Sequence, residues 1–280
     1  MIKKGFLANG EMLGWEPEKL ASFIKESGYD CVELIDDIIF AGGKDGKEYK
    51  AAADKAGIEI SEILVQHDFV MLDTAAREAN IKLAADNIRR ASDMGVKVVN
   101  FFTGPVPWMP DSIQVGKQVS MTDAWGMVFD AFDKILPVAE KEGVKIAVEN
   151  VWGMLAHDLY TNKFLNSHYN NDNLGVNLDP SHDMLYGNND AAFIVKSWGE
   201  KIFHVHVKDA VGIAEGGKFV FPLLGEGNVN FGAFFKALEE TGYTGCASVE
   251  FESWAYRQNI WGGVHASAVK PSLEFLKKFI

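Results

Sequence analysis

The sequence predicts an α/β protein folded as a single (β/α)8 barrel spanning residues 1–280. Three observations predict it: apolar, β-rich runs alternate with helically periodic segments from end to end, eight such pairs can be counted, and no Pro/Gly/Ser tract is long enough to divide domains. Strict strand–helix alternation favours a parallel sheet closed on itself with its helices outside. A doubly wound open sheet is the alternative, and the lack of a glycine-rich phosphate turn after the first strand weighs against it.

Strands are expected over residues 5–8, 31–35, 58–66, 96–103, 144–150, 174–178, 202–207 and 246–251. Several follow a glycine suited to closing a helix, as in ESGYD, KAGIE, DMGVK, KEGVK and ETGYTG. Helical spacing covers 17–27, 74–94, 121–142, 191–198, 231–241 and 266–279. Pro17 stands where a first-turn proline is tolerated, and Thr74 and Thr122 read as capping residues.

Composition narrows the function class. Of 280 residues, 48% are hydrophobic, enough for one large core. The net charge of −12 argues against nucleic acid or an anionic membrane as partner, because both need a dense basic surface. Cys31 and Cys246 sit at the starts of predicted strands and read as small apolar core residues in a reducing compartment rather than as a disulfide. The amino terminus MIKKGFLANGEMLGW lacks the apolar stretch of a signal peptide, and no run reaches membrane-spanning length, so a cytoplasmic protein is expected.

Chemistry concentrates in four polar islands at the ends of apolar runs: VEN at 148–150, LDPSH at 178–182, HVHVKD at 204–209 and VEFE at 249–252. Barrel enzymes assemble their sites at the carboxyl ends of strands from residues distant in sequence. Glu149, Asp179, His206 and Glu250 lie at or near such ends on the fifth to eighth strands. Three carboxylates and one imidazole would suit a divalent metal ion.

Each residue also has a plain structural reading. Glu149 could pair with a lysine such as Lys208, Asp179 could cap a turn with His182 incidental, and His206 could be a satisfied core histidine. Alternation places His204, His206 and Lys208 on one face of their strand; His204, deeper, would hold a neighbouring carboxylate. Lys208 would orient a substrate hydroxyl or carbonyl, or form a salt bridge with Asp209. Glu250 and Glu252 share a face and would repel unless a metal or protons intervene; Glu250 is the preferred ligand. His182 is read as a substrate contact or as a support for the ligands.

Glu33 and Glu62 line the other half of the mouth or are structural, and His67 and Asp68 lie beyond them. His157, His168 and His265 default to surface histidines, with His157 the exception to watch because it follows the Glu149 strand. Aromatic residues gather after the strands, and Trp108 and Trp254, in predicted loops, are placed to stack on a sugar ring or an aromatic substituent.

The ordered set VEN, LDPSH, HVHVKD and SVEFE resembles the xylose isomerase-like TIM barrel superfamily, the sugar phosphate isomerase/epimerase group, over essentially the whole chain. That resemblance implies one divalent ion, Mn²⁺ foremost with Mg²⁺, Co²⁺ or Zn²⁺ as alternatives, on Glu149, Asp179, His206 and Glu250. It implies that His182 touches substrate and, by likeness to ketose 3-epimerases, that Glu149 and Glu250 also move the proton. The chain departs from those epimerases: HVHVKDAVG lacks their substrate-binding arginine, and VWGMLAHD lacks their second glutamate. The expectation is a metal-dependent enzyme that enolises a keto-sugar or sugar derivative. The alternative is a lyase using the same enolate for β-elimination, either a keto-inositol dehydratase or a 3-oxo-glycoside or C-glycoside deglycosidase. Implied partners are a sugar or glycoside substrate and either further copies of this chain or a small second subunit. Family-two apurinic endonucleases share the barrel but need more early-strand histidines than His67, and a non-catalytic sugar-binding barrel would not need a complete ligand set.

Overall fold

A computed structural model of the chain, described for residues 1–187 and 190–280, is a closed barrel of eight parallel strands with helices around it. The barrel strands are β1 (Lys3–Leu7), β2 (Cys31–Ile35), β3 (Glu59–Val65), β4 (Val98–Phe101), β5 (Lys145–Glu149), β6 (Leu174–Leu178), β7 (Ile202–Val207) and β10 (Cys246–Val249). Closure runs β1-β10-β7-β6-β5-β4-β3-β2. The two remaining strands, β8 (Val211–Ile213) and β9 (Lys218–Val220), form an antiparallel hairpin after β7.

The principal helices outside the barrel are α1 (Pro17–Glu26), α3 (Lys47–Ala56), α4 (Thr74–Asp93), α5 (Met121–Glu142), α6 (Leu159–Tyr169), α8 (Ala191–Trp198), α9 (Phe231–Glu240) and α11 (Val269–Leu276). Short helices α2 (Asp36–Ile39), α7 (Pro180–Leu185) and α10 (Trp254–Asn259) follow barrel strands at the mouth. The expected caps shift by a residue or two. Asp73, not Thr74, caps α4 by accepting from the amides of Ala75 and Ala76, and Ser120, not Thr122, caps α5 through the Asp123 amide. Among the described residues no helix is long and apolar enough to cross a membrane.

Both faces of the barrel sheet are buried, yet the sequence alternates as if one were wet. Val32, Leu34, Ile63, Val65, Val99, Phe101, Ile146, Val148, Val205 and Val207 belong to the large apolar core under the helices. Their neighbours Glu33, Glu62, Asn100, Glu149, Asn177, His204 and His206 are also buried, and period-two geometry turns them into the lumen. The barrel interior is therefore polar, and the apolar outer layer supplies the packing.

The default surface position for His265 is corrected: it is 1% exposed, packed edge-on against Phe6 and Phe251, and neither ring nitrogen has a hydrogen-bond partner. Burial lowers its pKa to about 4. The unfolded chain, with an ordinary histidine near 6.5, binds more protons across that window, so stability falls as pH drops from 6.5 to 4, by about 3 kcal/mol in all. His265→Phe should abolish this contribution. Urea unfolding at pH 7 and pH 4 checks it: the variant's stability relative to wild type should rise by about that amount on acidification, and an unchanged difference would refute the assignment.

Candidate metal centre

The carboxyl ends of β5, β6, β7 and β10 bring Glu149, Asp179, His206 and Glu250 together, with one ligand atom from each lying within 4.8 Å of the others. Asn150 ties two of these ends: its Nδ2 donates to the Asp179 carbonyl at 2.8 Å, and its Oδ1 accepts from the Asp179 amide at 3.0 Å. Asp179 caps its turn and also reaches the cluster. Its Oδ1 caps α7, accepting from the Ser181 amide at 2.8 Å and hydroxyl at 2.6 Å, while Oδ2 is buried without a hydrogen bond. His206 Nδ1 lies 3.1 Å from both Glu149 Oε1 and Glu250 Oε2, and Asn100 Nδ2 donates to Glu149 Oε2 at 2.9 Å. Such a hard-oxygen set with one imidazole fits a divalent ion.

Lys208 stands beside this cluster rather than pairing with Asp209. Its Nζ lies 2.5 Å from Glu250 Oε2, 3.0 Å from Glu252 Oε2, 3.0 Å from Asp179 Oδ2 and 3.1 Å from His182 Nε2. Burial opposes the charge, but Asp179, Glu250 and Glu252 outweigh it and hold the ammonium pKa well above the usual value. Asp209, one residue on and facing away, instead accepts from the backbone amides of Ala210, Gly225, Gly227 and Val229. A Cβ on Gly227 would collide with that carboxylate, so the turn requires glycine there.

The two glutamates of the cluster are pushed in opposite directions. Burial, reinforced by Glu250, raises Glu149 to about 7, against the pull of His206. Burial works upward on Glu250 too, but Lys208 and His206 prevail and hold it well below the ordinary carboxylate range. Burial and the adjacent Lys208 charge lower His182 to about 3, so its imidazole is neutral and a hydrogen-bonding group rather than an acid.

Above the cluster opens a cavity of about 450 Å³ whose floor includes Glu149, His182, Lys208, Glu250 and Glu252. Its walls are aromatic: Phe102, Trp108 and Trp152 come from post-strand loops, Trp254 opens α10 rather than lying in the expected loop, and Phe219 and Phe221 come from β9 and the residues after it. Asp179 and His206 lie buried beneath the floor. Trp108 and Trp254 remain 48% and 57% exposed, as rim residues do. His157 is not among the residues lining this cavity; its ring packs 4.2 Å from Tyr186, and its Nδ1 is 2.8 Å from the Met154 carbonyl.

Sequence reasoning left two contributors unassigned. Glu33, given equal weight as structural, sits 2.9 Å from His206 Nε2. The β8–β9 hairpin, with its Phe219 wall, was missed because three-residue strands around EGG leave no periodicity to read.

The profile described as xylose isomerase-like TIM barrel matches residues 21–279. An uncharacterized protein of Methanocaldococcus jannaschii is 27% identical over 251 residues, covering 84% of this chain and 80% of its own. An inosose dehydratase of Clostridium perfringens is 22% identical over 268 residues, covering 86% and 88%. The solved 3-keto-D-glucoside 4-epimerase of E. coli superposes with a TM-score of 0.80 at 18% identity, over 99% of this chain and all of that one. By the extent of the profile match and the barrel on which it rests, the chain belongs to the xylose isomerase-like TIM barrel family.

Proposed function

We propose that the protein enolises a keto-sugar or keto-cyclitol by removing the proton next to the carbonyl and returning it to give an isomer or epimer. The observation that carries this reading is the convergence of Glu149, Asp179, His206 and Glu250 at the base of a cavity of sugar-accommodating size. A divalent ion held by these four, Mn²⁺ foremost, supplies Lewis acidity toward the substrate's carbonyl oxygen. Glu149 and Glu250, whose carboxylates flank the base of the cavity, are the groups that take and return the carbon-bound proton. Lys208 donates to a substrate oxygen, and neutral His182 orients a hydroxyl. Trp108 and Trp254 cover the apolar face of the ring.

A lyase is the second reading, supported by two observations. The inosose dehydratase relative spans most of the chain, and the cavity walls carry six aromatic side chains, which suit a flat apolar group. In that case the enolate expels a group from the neighbouring carbon, either water from a keto-inositol or the aglycone of a 3-oxo-glycoside. The only cation among the cavity-lining residues, Lys208, is already ringed by carboxylates, so a phosphate on the substrate has no evident partner.

The test is proton–deuterium exchange by NMR on keto-sugars, inositol ketones and 3-oxo-glycosides with Mn²⁺-loaded and chelator-treated protein. Exchange that needs the metal is expected, and the product separates isomer from eliminated fragment. One tightly bound ion with no exchange on any of the three classes would overturn the enolisation reading. Assembly with further copies or with a small second subunit, and action in the cytoplasm, accompany the proposal; size-exclusion chromatography with light scattering reads the former.

A further inference from the structure

We propose that Glu33 is a positioning residue, which holds the His206 ring with its proton on Nε2 and thereby presents Nδ1 to Glu149, Asp179 and Glu250. The inference rests on the metal-site reading above. Glu33 comes from β2, and β1 and β10 lie between that strand and the β7 that carries His206, so its carboxylate reaches across the lumen. Its Oε1 lies 2.9 Å from His206 Nε2, while His206 Nδ1 lies 3.1 Å from Glu149 and Glu250. The two ring nitrogens thus face different tasks, one toward the ligand cluster and one toward a fixed acceptor.

Glu33 is itself backed by a second pair. Its Oε2 makes no hydrogen bond and lies 3.9 Å from His204 Nε2, and His204 Nδ1 is 2.9 Å from Glu62 Oε2. Carboxylates and imidazoles therefore alternate, Glu149–His206–Glu33–His204–Glu62, down a barrel interior in which each of these residues is 0–1% exposed. Packing alone does not account for this arrangement, since apolar side chains fill buried space at lower desolvation cost than paired charges do. A metal-binding histidine, by contrast, works best when its other N–H is donated to a carboxylate that fixes tautomer and ring orientation. Glu33 meets that requirement with the one hydrogen bond it makes through Oε1.

The test compares wild type, Glu33→Gln and Glu33→Leu in two readouts that do not involve turnover. Mn²⁺ affinity, by competition with a chelator, is expected to weaken by about 10-fold in Glu33→Gln and about 100-fold in Glu33→Leu. Ring ¹⁵N shifts in Zn²⁺-loaded protein, with His206 assigned by its loss in His206→Asn, should report a single Nδ1-ligated, Nε2–H form in wild type and, in Glu33→Leu, an added population of unligated ring that takes either tautomer. Should Glu33→Leu fail to fold, the Gln variant carries both measurements. Unchanged affinity and tautomer in the variants would overturn the positioning role while leaving the metal site intact. Two ions per wild-type chain, one lost with Glu33, would also overturn it by making Glu33 a ligand. Wild-type protein that binds neither ion would overturn the metal-site reading, and this inference with it.

Discussion

Glu250→Gln is expected to slow metal-dependent exchange of the substrate's α-proton by about 10³-fold, the range spanned by loss of a general base. Glutamine keeps the side-chain shape and one coordinating oxygen but cannot accept the proton. Lys208 retains Asp179 and Glu252 as partners, so the floor of the cavity should persist. Exchange in D₂O, followed by NMR at matched metal occupancy, isolates the chemical step from binding. A rate within tenfold of wild type would remove Glu250 from proton transfer and leave Glu149 as the sole carboxylate to test.

Lys208→Met should have the largest effect on stability. Removing the ammonium leaves Asp179, Glu250 and Glu252 without their common cation, and breaking a buried ion pair from one side costs about 3–5 kcal/mol. For a chain of this length that is a fall in Tm of about 10 °C. Saturating Mn²⁺ should raise the melting temperature of the variant more than that of wild type, because the added charge offsets what the substitution removed. Thermal melts with chelator and with Mn²⁺ check both parts. A chelated variant that melts with wild type would mean that the carboxylates are relieved by protonation instead.

The barrel was legible because its strands alternate strictly. HVHVKD and VEFE placed His206 and Glu250 on an inward face without any knowledge of their neighbours, and the strand ends gathered the four candidate ligands by topology alone. What stayed hidden were relations that alternation does not encode. Glu33 and His206 are 173 positions apart, and only the closure of the sheet makes them neighbours. The partners of Lys208 could not be chosen, because Asp209 was nearest in sequence but turned the other way. His265 occupies a short 3-10 turn, His265–Ala268, where no period reports depth. Helix α3, KEYKAAADKA, was not among the expected helices; it is short and buries only Tyr49, Ala52 and Ala53.

The loop between β7 and α9 is anchored at its roots: Asp209 gathers four backbone amides at its base, and the Ala214 amide donates to the Leu185 carbonyl. The hairpin presents Phe219 and Val220 to the cavity while Ile213 stays open to solvent. The segment contributes none of Glu149, Asp179, His206 or Glu250, yet it is tied to the cavity wall through Phe219 against Trp152 and Phe221 against His182. Substitutions there would reshape the cavity wall while leaving the barrel strands as they are, and a laboratory seeking new substrates would concentrate its library there.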